Sequence, residues 1–336
     1  MQKDLEFIQK LLFNNFKKIR GLNSKINSEN IIKIASSHLV IPLLYHKIKK
    51  NKISHLFDKD LIKYLLFLKN INENRNNELI KECTLISKKL NENKIEHIFI
   101  KGAANIFGGI YECNSVRMIG DIDILVDKKK ISDCLKMFDK MGYRNKINLK
   151  YAEHRHLERI QKKNKLFAIE IHTRLYDFKN IIKPKDILKN KRVLNGISIP
   201  SIEHMFYNNI YNFQINDGNI YLMRLNLKNI YDSLMIYKKM NSGHNIDRNV
   251  YTKFYFTLIN FKIKSLKYKF DFKPSKRIIT FLKICNYNFF TKKIFIYLSK
   301  SIYNMTKIRK RPAQILETIL NKNYRKKVFQ YYFEKN

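Results

Sequence analysis

Two aspartates one residue apart, Asp121 and Asp123, head the apolar run Asp121-Ile-Asp-Ile-Leu-Val126. Side chains alternate faces along a strand, so both carboxylates share one face while Ile122, Ile124 and Val126 take the other. Two ionised carboxylates side by side repel, and burying them without a counter-charge is costly. A divalent cation resolves the conflict, and oxygen donors favour Mg²⁺ or Mn²⁺. A third acid lies in the run 166–175, where Ile169 and Ile171 share one face and Glu170 and His172 the other. Three converging carboxylates are what two-metal nucleotidyl transfer needs: ligands for an ion that activates the attacking oxygen and for one that holds the phosphates of an NTP, with the third acid as ligand or base. Asp121, Asp123 and Glu170 are therefore the expected metal ligands and catalytic residues.

An earlier apolar run, 95–100, ends in Lys101-Gly102. A glycine at a strand-to-helix turn lets phosphate approach backbone N–H groups, and Lys101 and Arg117 can neutralise triphosphate charge. These three are the expected nucleotide-binding residues. His172 is expected to orient Glu170 or contact substrate, and His154 and His156, which share a face, to touch a phosphate or the acceptor. For all three histidines a satisfied structural role is the competing reading. His97 reads as structural and Asp127 as a helix cap.

The elements that must position these residues read as follows. Residues 2–20 have helical spacing, and Ser28 is placed to cap a second helix that Pro42 kinks or divides. Runs 57–68 and 78–90 read as two further helices, with the polar stretch 70–77 as a turn or an exposed helix start. Short β-type runs at 95–100, 121–126 and 166–175 follow, with a weaker one at 155–160 and a helix stopped at Gly142. From Pro200 the pattern is helical again, with candidates at 202–213 and 222–240. The expected fold is α+β: a small mixed β-sheet core at 95–194 between an N-terminal helical region, 1–94, and a basic, aromatic C-terminal helical region, 195–336.

This arrangement resembles the DNA polymerase beta-like nucleotidyltransferase superfamily, in which a Gly-Gly or Gly-Ser turn precedes Asp-x-Asp on the next strand and a third acid on a later one. It is most similar to a bacterial group of uncharacterised nucleotidyltransferases. The elements that carry the likeness are Lys101-Gly102, Tyr111, Arg117, Asp121-Ile-Asp-Ile-Leu-Val126, Gly142-Tyr143, His154-Arg-His156 and Glu170-Ile-His172, with Arg224 and Asp232 as counterparts of an Arg and an Asp in that group's C-terminal bundle. Ala103 stands where the superfamily turn has its second Gly or a Ser. The motif order is also similar to that of nucleotidyltransferase toxins. The resemblance implies transfer of an NMP from an NTP, ATP among the candidates, and a cognate antitoxin as a partner.

Lysine and arginine number 67 against 28 acidic residues, a formal charge of +39 over 336 residues. Part of this excess follows AT-rich codon usage; all of it creates a field that attracts polyanions. RNA, tRNA above all, is the favoured acceptor, with small molecules and protein hydroxyls as alternatives. A catalytically silent nucleic-acid-binding or assembly protein is the reading from another class. Cys83, Cys113, Cys134 and Cys285 lack CxxC spacing, which argues against a zinc site and for free thiols. No signal-peptide core and no apolar run of roughly 18–20 residues is present, so a cytoplasmic protein without a transmembrane segment is expected.

Overall fold

A computed structural model describes residues 2–14, 27–145, 155–176, 181–240, 246–263, 266, 269–308, 319–322 and 325–326. The chain opens with helices α1 (Gln2–Phe13), α2 (Ser28–Ser37), α3 (Ile41–Lys50) and α4 (Lys59–Glu92). Asn27, not Ser28, caps α2: its side chain accepts from the Asn30 N–H, and Ser28 bonds Asp58 instead. Pro42 divides rather than kinks, because it sits in the first turn of α3, where a missing N–H costs nothing.

The two helices expected at 57–68 and 78–90 are one helix of 34 residues, and the polar stretch between them is its middle. Asn72 and Asn76 point inward, 5% and 0% exposed. Their amides satisfy backbone carbonyls of the loop that carries Arg117: Asn72 Nδ2 donates to Ser115 O (2.7 Å) and Arg117 O (3.1 Å), and Asn76 Nδ2 to Asn114 O (2.5 Å) and Arg117 O (2.8 Å). A tertiary demand for donors thus overrides a composition that favours a turn.

The main sheet has the order β1-β2-β5-β4-β3, from β1 (His97–Ile100), β2 (Asp121–Val126), β3 (Arg144–Asn145), β4 (Ile160–Gln161) and β5 (Ala168–His172). Only the β2–β5 pair is parallel; the other pairs are antiparallel, so the sheet is mixed as expected. Helix α5 (Lys101–Phe107) follows β1 directly, and α6 (Ile131–Lys140) follows a short turn capped by Asp127, whose Oδ1 accepts from the Lys129 N–H. The strand expected at 155–160 survives only as β4 and an isolated bridge between His156 and His172. Helix α7 (Pro184–Lys189) leads into a hairpin that sequence periodicity did not mark, β6 (Arg192–Leu194) and β7 (Ile197–Ile199), turned at Asn195-Gly196 with both residues at positive φ.

Helices α8 (Ile202–Tyr211), α9 (Asn219–Leu222), α10 (Leu227–Lys239), α11 (Val250–Lys262), α12 (Lys276–Cys285) and α13 (Phe289–Ile308) complete the described chain, with a π-turn at Asn212–Asn216 after α8. The chain is α+β. One hydrophobic cluster runs without a break from Phe7 in α1, through the sheet, to Phe272. Among the described residues, no helix is long and apolar enough to cross a membrane.

Candidate functional site

The pairing of β2 with β5 sets Asp123 directly opposite Glu170, so two carboxylates from strands 47 positions apart lie side by side. Both are nearly fully buried. Asp121, at the open end of β2, is half-buried. Four basic side chains face this cluster. Lys101 Nζ pairs with Asp123 Oδ1 and stands 3.9 Å from Glu170 Oε2. His172 Nε2 lies 2.7 Å from Asp123 Oδ1 and 3.6 Å from Glu170 Oε2. Arg159 bridges the acids, donating from Nε to Glu170 Oε1 (2.6 Å) and from Nη2 to Asp121 Oδ2 (3.1 Å). His156 Nε2 stands 3.8 Å from Glu170 Oε2.

One ligand atom each from Asp123, Glu170 and His172 falls within 4.8 Å of the others, a cluster with the spacing and donor set of a divalent-cation site. The His172 ring is fully buried and its Nδ1 has no partner among the described residues, so its hydrogen bonding there runs through Nε2, which donates to the Asp123 carboxylate. His154 lies outside the described residues. His97 is buried away from the acids, bonded to Ser87 and to the Ile95 carbonyl.

The charges do not balance evenly. Burial pushes Asp121 up to about 6, and the charges of Asp123 and Glu170 add to the rise; Lys101 and Arg159 offset only part of it. Burial also acts on Asp123, but there the Lys101 ammonium and the His172 hydrogen bond prevail and hold the carboxyl below its ordinary value. Glu170 follows the same logic: burial is outweighed by His172, His156, Lys101 and Arg159, and the carboxyl stays ionised. The site is therefore two well-compensated acids and one under-compensated acid at its mouth.

Lys101 reaches both inner carboxylates from a left-handed backbone, φ 54°. Such a conformation costs a non-glycine residue roughly 1–2 kcal/mol. Gly102 has a packing role. A Cβ there would meet the Ile119 side chain at 3.1 Å, so the glycine permits close approach of α5 to the Arg117 loop. Arg117 does not meet the sheet acids. Its Nη2 lies 2.9 Å from Asp232 Oδ2 on α10, its Nε donates to Tyr111 Oη (3.2 Å), and Tyr111 Oη donates to Asp232 Oδ1 (2.5 Å).

A cavity of about 330 Å³ lies between the acid cluster and helices α8 and α10, within the range of small-ligand sites. Lys101, Gly102, Arg117, Asp121 and Asp123 all line it. So does Lys228, one turn before Asp232, whose ammonium forms no ion pair or hydrogen bond among the described residues. The Arg117 charge, then burial, pushes Lys228 down to about 8. Arg159 and Lys228 were not singled out from sequence. Arg159 precedes Ile160, and the antiparallel register of Ile160 with Ile169 puts it opposite Glu170; Lys228 is four residues before Asp232 and so on the same helix face. The place of Arg159 beside Glu170, and the turning of the Lys228 face toward the acids, are invisible without knowing which segments meet. Arg224, in the turn between α9 and α10, is exposed and lines a different cavity.

No curated protein matches the chain. A family model described as "Uncharacterised nucleotidyltransferase" matches residues 24–242, roughly two thirds of the chain. That span runs from α2 through α10 and includes every residue of the acid cluster and of the cavity beside it. On this match, the chain belongs to the uncharacterised nucleotidyltransferase family.

Proposed function

We propose that the protein is a divalent-cation-dependent nucleotidyltransferase that moves an NMP from an NTP to a hydroxyl acceptor and releases pyrophosphate. The observation that carries this is the side-by-side placement of Asp123 and Glu170, with Asp121 and His172 beside them, opening onto a cavity lined by Lys101, Arg117 and Lys228. The clustered donors are Asp123, Glu170 and His172; Asp121, on the same strand face as Asp123, would join Asp123 and Glu170 in holding Mg²⁺ or Mn²⁺. When bound, two such cations lower the pKa of the attacking hydroxyl and neutralise the phosphates. The chain's own residues do the rest. Lys101, released from Asp123, and Lys228, which has no ion-pair partner among the described residues, take up triphosphate charge. Arg159, half exposed, swings from the acids toward the phosphates. Gly102 packed on Ile119 keeps the cavity floor open beside Lys101.

RNA, tRNA first, is the acceptor class favoured by the charge of +39. Free thiols, and a reaction that consumes NTPs, favour a reducing cytoplasm as its setting. A toxin role with a restraining antitoxin rests on motif order alone; growth arrest on expression of the wild type, absent in the acid variants, is its test. The ion pairs at the acids support one second reading. Lys101, Arg159 and His172 already pair the acids, as they would in a silent nucleic-acid-binding or assembly protein. Incubation with each labelled NTP, Mg²⁺ or Mn²⁺, and total RNA separates the two. Label should reach RNA with the wild type and fall by a factor of about 10³ or more in Asp121→Asn/Asp123→Asn. Retained RNA binding with no transfer to RNA, lysate protein or small molecules supports the silent protein.

A further inference from the structure

A second cavity, of about 780 Å³, adjoins the first; Phe213, Asp217 and Asn226 line both. Its walls come from the turn after α9, the end of α11 and one face of α13, and they carry Arg224, Lys262, Lys292 and Lys300. None of the four takes part in an ion pair among the described residues; Lys262 Nζ donates instead to the Met223 carbonyl (2.7 Å). Burial, then the charge of Lys292, pushes Lys262 down, and both side chains line the cavity. The wall's one carboxyl, Asp217, is pushed up from its ordinary value by burial. A cleft lined by four cationic side chains and a single carboxyl is built for an anion.

The spread of the cations selects an extended anion over a single phosphate. Lys292 and Lys300 are eight residues apart on α13, about 12 Å along the helix at 1.5 Å per residue. Phe295 stands between them in the same wall, and Ser299, 6% exposed, lines it too. Helix α13 is also seated rather than loosely apposed. Tyr303 packs onto Gly218 so closely that a Cβ at 218 would lie 2.0 Å from its ring, and Gly218 itself needs its positive φ of 68°. Charges two turns apart with an aromatic ring between them match a sugar–phosphate backbone with its bases.

We propose that the second cavity binds the backbone of a single-stranded RNA acceptor and directs its terminal hydroxyl past Asp217 and Asn226 to the acid cluster. The role as acceptor site rests on the nucleotidyltransferase reading; the binding site itself does not. The test is fluorescence anisotropy with an end-labelled single-stranded oligoribonucleotide over a salt series. Arg224→Glu/Lys292→Glu/Lys300→Glu should weaken binding about tenfold or more, and three lost phosphate contacts should flatten the log–log salt slope by about 2. A charge-matched control on the exposed turn after β2, Lys128→Glu/Lys129→Glu/Lys130→Glu, should lose less than about threefold. Thermal shifts with Mg²⁺ and NTP should match the wild type in both variants. Equal losses in the two triples would mean diffuse surface charge and would overturn the site, as would no loss in either. If the triple misfolds, Lys292→Gln/Lys300→Gln should still lose about threefold, and undiminished binding in that pair overturns the site. RNA binding that depends on α13 without any transfer supports the site and sinks the enzymatic reading. Transfer to another acceptor, indifferent to α13, does the reverse.

Discussion

Asp121 shows at the scale of one residue what the site costs the fold. Its carboxyl titrates at about 6 instead of 3.8. An acid with a raised folded-state pKa binds its proton more tightly when folded. The contribution of this one group to stability is therefore most favourable below pH 3.8, falls as pH climbs toward 6, and stays low above that. The rise from 3.8 to about 6 corresponds to at most about 3 kcal/mol, at about 1.36 kcal/mol per pH unit. Asp121→Asn is expected to raise the metal-free melting temperature at pH 8 and to leave it unchanged near pH 3.5, as calorimetry at the two pH values will read. Arg159 gives the opposite case. Arg159→Ala leaves Asp121 and Glu170 without their bridge, and because the guanidinium is half exposed the loss should be about 1–2 kcal/mol rather than the full value for a buried pair. The variant should bind Mn²⁺ more tightly than the wild type, seen as a larger Mn²⁺-induced thermal shift, since the cation no longer competes with Arg159.

At the scale of the element, α4 is the informative one. Its central asparagines do not break the helix because their amides point across it to the Arg117 loop. Removing either donor leaves buried carbonyls unsatisfied, at about 1–3 kcal/mol each. Asn72→Ala and Asn76→Ala should each lower the urea midpoint by a matching amount, while Asn70→Ala, on the exposed face, should not. Because the loop carries Arg117 into the cavity, the first two should also raise KM for NTP several-fold with a smaller effect on kcat. The strained backbone at Lys101 belongs to this scale too, since the junction of β1 with α5 turns the lysine toward the acids.

At the scale of the whole molecule, the cavity exists because α10 and the Arg117 loop leading into β2 both line it. The Arg117–Asp232 pair, with Tyr111 bonded to both, ties the two across 115 positions of sequence. Asp232 is 1% exposed, so Asp232→Asn leaves a buried guanidinium without its counter-ion. A loss of about 3–5 kcal/mol is expected by chemical denaturation. The same change frees α10, and with it Lys228, from its fixed place over the acids, so NTP binding should weaken further than stability alone accounts for. The net charge of +39 acts at this scale as well, through long-range attraction that salt will screen.

Much of this was legible in the sequence. Alternation along a strand is local, so the shared face of Asp121 and Asp123, and of Glu170 and His172, followed from their spacing alone. The α+β class, the short strand runs, the stop at Gly142 and the cap at Asp127 are local in the same sense. What only the tertiary structure decided is which faces meet and at what register. It set Asp123 beside Glu170, brought Arg159 between Glu170 and Asp121, and turned Arg117 from the acids to Asp232. It also joined two expected helices into α4 and put a positive φ at Lys101. Each of these depends on a partner tens of residues away, and spacing within a segment carries no information about a distance between segments. The acids of Asp121-Ile-Asp-Ile-Leu-Val126 announced a chemistry; packing determined how their charges are met.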